Sequence, residues 1–473
     1  MNLGPLDAAL ILAFIGAILA LGFSVRLREN TTLQFIAAGR ALTLPVFVAT
    51  LVATWYGGIL GIGESVSYFG LGTWLLLGVP YYVFALVYGL LLAKRVRAAD
   101  QISIPERIGA TWGKGPALIA AGLVFLLGVP AAHVLMLGTL TQALTGWSLP
   151  LSVIVATFGS SLFLYKGGLL ADARVSLLSF AMMYVGFAVI VVYCLVHFPI
   201  AQTWSKFDGG PLLSIDGGTG PLVVLSFFIL GAWTLIDPGF HQRVASAKDP
   251  QTGRKGVLVS IAFWIVFDVL TVTTGMYALA LMDPLPTNIL LLFPLFGDQV
   301  LPSGLKAVFI CGMLGTILTA MVGYSLVSGA TLGREIVCRA FGISDERKAA
   351  NWSRVGILLA CVVAVLVSLA FNSVVALWYL WAGAIVGALL LPTLVSYVSK
   401  RPERFAPHVV SISMLSGFII SLAWLVWTKS RGQGQAVTLA TGVEFDIGTL
   451  LPGVAAGALV LLVGSMALGR SRK

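Results

Sequence analysis

Apolar residues fill long runs along the chain, and polar residues collect in short stretches between them. The runs lie at 6–25, 43–67, 71–93, 116–144, 149–165, 174–198, 220–245, 256–282, 303–333, 354–371, 374–398, 408–428 and 447–469. Each reaches the roughly 17–25 residues that a helix needs to cross bilayer hydrocarbon, and four run longer. Backbone groups in lipid have no water to bond, so such runs satisfy themselves as helices. The pattern therefore predicts an all-α polytopic membrane protein with 13 transmembrane helices. A further stretch, "ILLLFPLF" at 289–296, is too short to span and contains Pro294. It predicts an outward re-entrant or interfacial segment.

Within the second run the pattern changes. "VATWYGGILGIGES", residues 52–65, places Gly57, Gly58, Gly61 and Gly63 beside Trp55 and Tyr56, near the middle of the membrane. Each glycine costs a helix interior about 1 kcal/mol relative to alanine. Irregular backbone at that depth survives around a buried cavity, although small residues also let helices pack closely. The seventh run is interrupted too, by "GAWTLIDPGFHQR" at 231–243, where Pro238 breaks the hydrogen-bond ladder and Asp237 is ionisable. With the first run set aside, the two interruptions fall in helices one and six of a ten-helix core. That is a five-plus-five inverted-repeat arrangement with two broken helices, whose freed carbonyls and amides are available as ligands. The division expected is an extra N-terminal helix and loop (1–42), a transport core (43–398, with repeats 43–198 and 220–398) and two peripheral helices (399–473).

Composition and charge sharpen the topology. The 473 residues are 58% hydrophobic and only 10% charged, against about a quarter charged in soluble domains. Of the 29 basic residues, 25 fall in alternate connections if the N-terminus is outside and the C-terminus cytoplasmic. The outward side keeps only Lys206, Lys306, Lys429 and Arg431. Basic residues collect on the cytoplasmic side, so topology accounts for the net charge of +10 and a nucleic-acid partner is not needed. The first run has Asp7 near its start and Arg26 and Arg28 behind it, the reverse of a secretory signal, and is expected to be retained. Cys194, Cys311, Cys338 and Cys361 lie in or beside apolar runs without CxxC spacing, so they read as small buried hydrophobes. No HExxH, Walker, CxxC or Ser-His-Asp spacing gives an enzyme a seat, and no cofactor or obligate protein partner is called for.

Five motifs in order, "FIAAGR" at 35–40, "ATWYGG" at 53–58, "IPERIG" at 104–109, "YKGG" at 165–168 and "FHQRVASAKD" at 240–249, make nearly the whole chain resemble the sodium:solute symporter family. "ATWYGG" with "SVVALWYL" (373–380) is particularly similar to its high-affinity choline-transporter branch. The resemblance implies a leucine-transporter-like inverted-repeat fold in the cell membrane. It also implies sodium-coupled symport of a small organic solute into the cell by alternating access. It further implies a sodium ion held by the carbonyls of Ala53, Tyr56 and Thr316 and the hydroxyl of Thr319. A hard cation held by several oxygens is sensible chemistry. The sequence departs from the family at Ala320, where a second hydroxyl is common, and at Val175-Ser176, where "TD" is common. Both departures keep a proton-coupled symporter open as the alternative, with a transporter-like solute sensor behind it.

Remaining candidates follow from residue type and depth. Trp55, Tyr56, Gly57 and Trp233 lie at the two interruptions, and Trp378, Tyr379 and Trp381 lie in the eleventh run. Together they are the expected solute-binding set. Tryptophan faces suit an organic cation, at roughly 0.5–2 kcal/mol per contact, and equally suit an apolar or sugar ring. With no carboxylate placed beside them, a quaternary ammonium or zwitterion such as choline or betaine is preferred to a primary amine. Asp172 and Asp268 are candidates for ion or proton coupling; the alternative is pairing of Asp172 with Arg174 or Lys166, and of Asp268 with hydroxyls. Glu64 reads as a gate, a cation lure or a solvated vestibule residue, and His133 as a hydrogen-bonded packing residue.

Overall fold

A computed structural model describes residues 1–371, 373–430, 436–438, 444–446 and 448–471. Its main helices are α1 (Pro5–Phe23), α2 (Leu44–Phe69), α3 (Trp74–Ala98), α4 (Lys114–Thr145), α5 (Leu149–Ser161), α6 (Leu164–His197), α7 (Pro221–Ser246), α8 (Pro250–Leu281), α9 (Leu305–Phe341), α10 (Glu346–Ser368), α11 (Gly383–Val398), α12 (Pro407–Thr428) and α13 (Leu450–Met466). Ten of the described helices are long and apolar enough to cross a membrane; α5, α11 and α13 are shorter. Each apolar run of the sequence overlaps one of these helices, and the run at 374–398 also takes in the helical stretches Val374–Ala376 and Leu377–Ala382 that lead into α11. Strands Ala436–Thr438 and Glu444–Asp446 pair antiparallel between α12 and α13.

Local chemistry sets where the helices begin. The Asp249 carboxylate accepts from Thr252 N at 2.7 Å and caps α8, and Asp345 caps α10 through Lys348 N at 2.9 Å. An N-cap oxygen satisfies one of the four amides left free at a helix start. α9 is the central strut: its side chains are buried along nearly its whole length. α12 and α13 pack on α11, joined by Ser413 donating to Gly457 O and Ser421 to Thr449 O. The apolar stretch at 289–296 forms a short helix, Leu292–Val300, whose Phe293 and Phe296 are buried against the bundle.

Polar contacts sort the connections into two ends. At one, Lys306 Nζ lies 2.7 Å from Asp298 and donates to Asn2 O. At the other, Lys166 donates to Phe23 O, Arg174 to Ser24 and Arg354 to Tyr165 O. Lys114 donates to Ala340 O and Arg107 to Ser396 O at that same end. Alternate connections, joined by their basic residues, thus meet one another. Four of the sequence motifs form this knot. Gln242 donates to Ile36 O, Leu42 N to Ser246 O and Lys248 N to Leu42 O. Gly168, at φ +50°, lies so close to Phe35 O that no side chain fits. The short helix Ile104–Trp112 joins through Glu106, which receives both guanidinium nitrogens of Arg334 at 2.7 and 2.9 Å. Burial pushes the Glu106 carboxyl up, but hydrogen bonds and charge from Arg334, with the Ile102 amide, outweigh it and hold the group below the usual carboxylate range.

Candidate solute and ion site

Both predicted interruptions exist, in a tighter form than an unwound segment. α2 passes through a single 3₁₀ turn at Tyr56–Gly58. α7 changes to 3₁₀ over Gly231–Leu235, leaves helical geometry at Ile236–Asp237 and restarts at Pro238. The Asp237 side chain caps the restarted helix through Phe240 N at 2.8 Å and accepts from the Tyr324 hydroxyl at 2.8 Å. Its expense in an apolar run is therefore met by a cap and a tyrosine.

The glycines of α2 answer to close neighbours. A Cβ on Gly57 would collide with the Ala320 methyl and lie 3.2 Å from Thr316 O. One on Gly58 or Gly61 would collide with the Trp378 indole. Hence the broken turn is pressed between α9 and the helical stretch that leads into α11. Gly57 faces α9 rather than open space.

Beside the turn lies a cavity of about 150 Å³. Trp55 and Tyr56 from α2, Trp233 from α7 and Trp378 line it, so four of the seven solute-binding candidates converge there. Gly57 is not on its wall, and the side chains of Tyr379 and Trp381 fall outside the described residues. Thr54, Tyr81, Tyr82, His133, Tyr324 and Asp268 complete its polar lining, and no lysine or arginine is among the lining residues. Trp55 is wedged edge-on between Tyr81 and Phe240, ring centroids 5.1 Å away on each side. Tyr56 donates to Trp264 O at 2.8 Å. His133 stacks on Tyr324 at 5.3 Å, and its Nδ1 has no hydrogen-bond partner among the described residues. It packs as expected, but without the expected hydrogen bond at that nitrogen.

The four ion candidates are buried, and the contact between Gly57 and α9 brings the Tyr56 turn onto Thr316–Ala320. Thr319 donates to Gly315 O and Thr316 to Met313 O, which leaves hydroxyl lone pairs free to accept a cation. Ser179 of α6 packs against Gly315, and the buried hydroxyls of Ser176 and Ser179 have no partner among the described residues.

The two aspartates separate. Asp172 pairs with Arg243, not with Arg174 or Lys166: the guanidinium lies 3.0 Å from its carboxylate and also donates to Thr54 at 2.7 Å. Asp268 lies on the cavity wall and accepts from the Tyr82 hydroxyl. Glu64 is buried, not solvated. It accepts from Ser373 at 2.5 Å and from the amides of Val374 and Val375 at 3.0 and 3.2 Å, tying α2 to the segment that carries Trp378. Sequence reasoning missed Tyr81, Tyr82 and Tyr324. Their one signal is depth, since tyrosine in a span usually sits at the interface.

A tight broken turn, a cavity beside it and buried oxygens across it are the parts of an ion-coupled carrier. The model of the sodium:solute symporter family matches residues 35–404. The chain belongs to that family. Among solved structures, a Na+-coupled sialic acid symporter in a substrate-bound outward-open state is similar with a TM-score of 0.76. The likeness covers 99% of this chain and 98% of that one at 14% identity. Mhp1, a nucleobase-cation-symport-1 family transporter in a closed conformation with bromovinylhydantoin bound, is similar at 0.58, over 94% and 96%, at 15% identity. At these identities the likeness is one of fold. No curated protein matches in sequence. Membership makes this symporter an integral membrane transporter and not an enzyme, and it supports sodium as the coupling ion.

Proposed function

We propose that the protein carries a small organic solute into the cell together with sodium, by alternating access around the broken turns of α2 and α7. The observation that carries this reading is the seat of Gly57 on Thr316–Ala320 beside an aromatic cavity. Solute and ion sites then share one turn of backbone, so filling one stiffens the other. The carbonyls of Ala53, Tyr56 and Thr316 and the hydroxyl of Thr319 hold the ion, and Trp55, Tyr56, Trp233 and Trp378 hold the solute. Ser176 and Ser179 offer spare oxygens from α6 where Ala320 offers none. All thirteen helices cross the cell membrane, ten of them forming the five-plus-five core at 43–398. The N-terminus lies outside and the C-terminus inside; the meeting of alternate basic connections at one end supports this count.

The proton-coupled alternative draws on the missing hydroxyl at Ala320 and on Asp268. Two substitutions separate it from sodium coupling. Thr319→Ala should lower apparent sodium affinity, and Ala320→Ser should raise it. If neither variant moves the sodium dependence of the protein's thermal stability, the ion site is misplaced.

A further inference from the structure

Six acids are buried among the described residues, and five of them meet a cation or a backbone amide; Asp7 accepts from the amides of Gly4 and Gly304. Asp172 has Arg243, Asp237 has an amide and Tyr324, Glu64 has a hydroxyl and two amides, and Glu335 has Arg334 and Arg339. Asp268 has neither an ion pair nor a backbone amide among the described residues; the Tyr82 hydroxyl donates to its Oδ2 and the Tyr56 hydroxyl lies beside it. A carboxylate away from water is costly unless a cation or several donors meet it. Here the group opens onto a cavity whose lining holds no basic side chain. Around it stand Trp55, Tyr56, Trp233 and Trp378, ring faces that attract a cation and do little for an anion.

We infer that Asp268 is the counter-charge for the solute, which is an organic monocation with an ammonium group and no carboxylate. The inference rests on the reading of this cavity as the solute site. An ammonium completes the aspartate and gains the aromatic faces in the same place. A neutral solute would leave the charge unmet, and an anionic group would meet Asp268 with no cation on the wall to offset the repulsion. This revises the expectation from sequence, in which no carboxylate stood beside the tryptophans and a zwitterion fitted as well as a cation.

A matched pair of probes tests it. Choline and 3,3-dimethylbutan-1-ol have the same shape and differ in the charge of one atom. Calorimetric titration of the purified full chain in sodium buffer with both, and with ethanolamine and glycine betaine, reads the charge term directly. Choline or ethanolamine should bind roughly ten-fold or more tighter than the neutral alcohol, as a charge-assisted contact implies, and choline tighter than glycine betaine. Asp268→Asn should remove most of that preference, and Asp268→Glu should keep part of it. Equal binding of choline and the alcohol by the wild type overturns the proposal whether or not any variant folds. So does failure of both cations to bind, preference for glycine betaine, or an Asp268→Asn protein that keeps its cation affinity and loses only its pH dependence. Sodium stabilisation of the wild type is read separately. Its absence with the cation preference intact counts against sodium coupling and not against Asp268.

Discussion

Replacing Gly57 by alanine tests the geometry on which the shared site depends. The added methyl falls inside the space of the Ala320 methyl, between two buried backbones that cannot part without moving the Tyr56 turn off α9. Overpacking of this kind costs about 1–3 kcal/mol. The collision is with a side chain, so Ala320→Gly should relieve it. Alone, that change should cost up to about 1 kcal/mol as a glycine in a helix. In the double variant the two effects should not add, and a coupling of roughly 0.5–3 kcal/mol in the rescuing direction is expected for directly touching residues. The assay is thermal melting of all four proteins with and without sodium. Gly57→Ala should melt lower and lose most of its sodium stabilisation, and the double variant should regain both. Wild-type sodium stabilisation in Gly57→Ala, or strict additivity in the cycle, would refute the placement of the broken turn on Thr316–Ala320.

Other perturbations follow from the same contacts. Asp172→Asn leaves the buried Arg243 guanidinium without its counter-ion and should destabilise by about 3–5 kcal/mol, with Asp172→Asn/Arg243→Gln recovering part of the loss; an unchanged melting temperature for the single variant would count against the pair. Glu64→Ala strips Ser373, Val374 and Val375 of their acceptor, at about 1–3 kcal/mol, and should raise labelling of a cysteine placed at Val375 from the end that holds Asp298; unchanged labelling would mean that Glu64 does not hold that contact shut. Glu106 is held below the unfolded carboxylate value of 4.5, so its contribution is present above that pH and is lost as pH falls through the folded value. Hydrogen exchange in Ile104–Trp112, corrected for intrinsic rate, should rise on acidification below about pH 4.5 in the wild type and not in Glu106→Gln; the same rise in both would remove Glu106 as the cause.

The helices were legible because hydropathy and length are local properties, and so were the breaks, since Pro238 and the Gly57–Gly63 cluster disturb a helix wherever it packs. Pairing is not local. Nothing in "LADARV" says that Asp172 will meet Arg243, 71 positions away, before its neighbour Arg174. Likewise the period of α8 does not say which face of it a cavity will open on, so Asp268 and Asp172 looked alike in sequence. The α2 glycines carried two meanings, a broken turn and close packing, and the structure contains both. Glu64 misled for a related reason: its depth suggested solvent, whereas the amides at Val374 and Val375 come from a segment 310 positions on.

The central claim is that a sodium gradient drives solute through this cavity, and reconstituted transport measures it most directly. Proteoliposomes holding the purified protein would be given labelled choline, or another solute that binds in the calorimetric titration, with an inward sodium gradient, with an inward proton gradient, or with neither. Concentrative uptake with the sodium gradient alone, lowered at limiting sodium in Thr319→Ala, is the predicted result. Uptake that ignores sodium and collapses when the proton gradient is removed would contradict it.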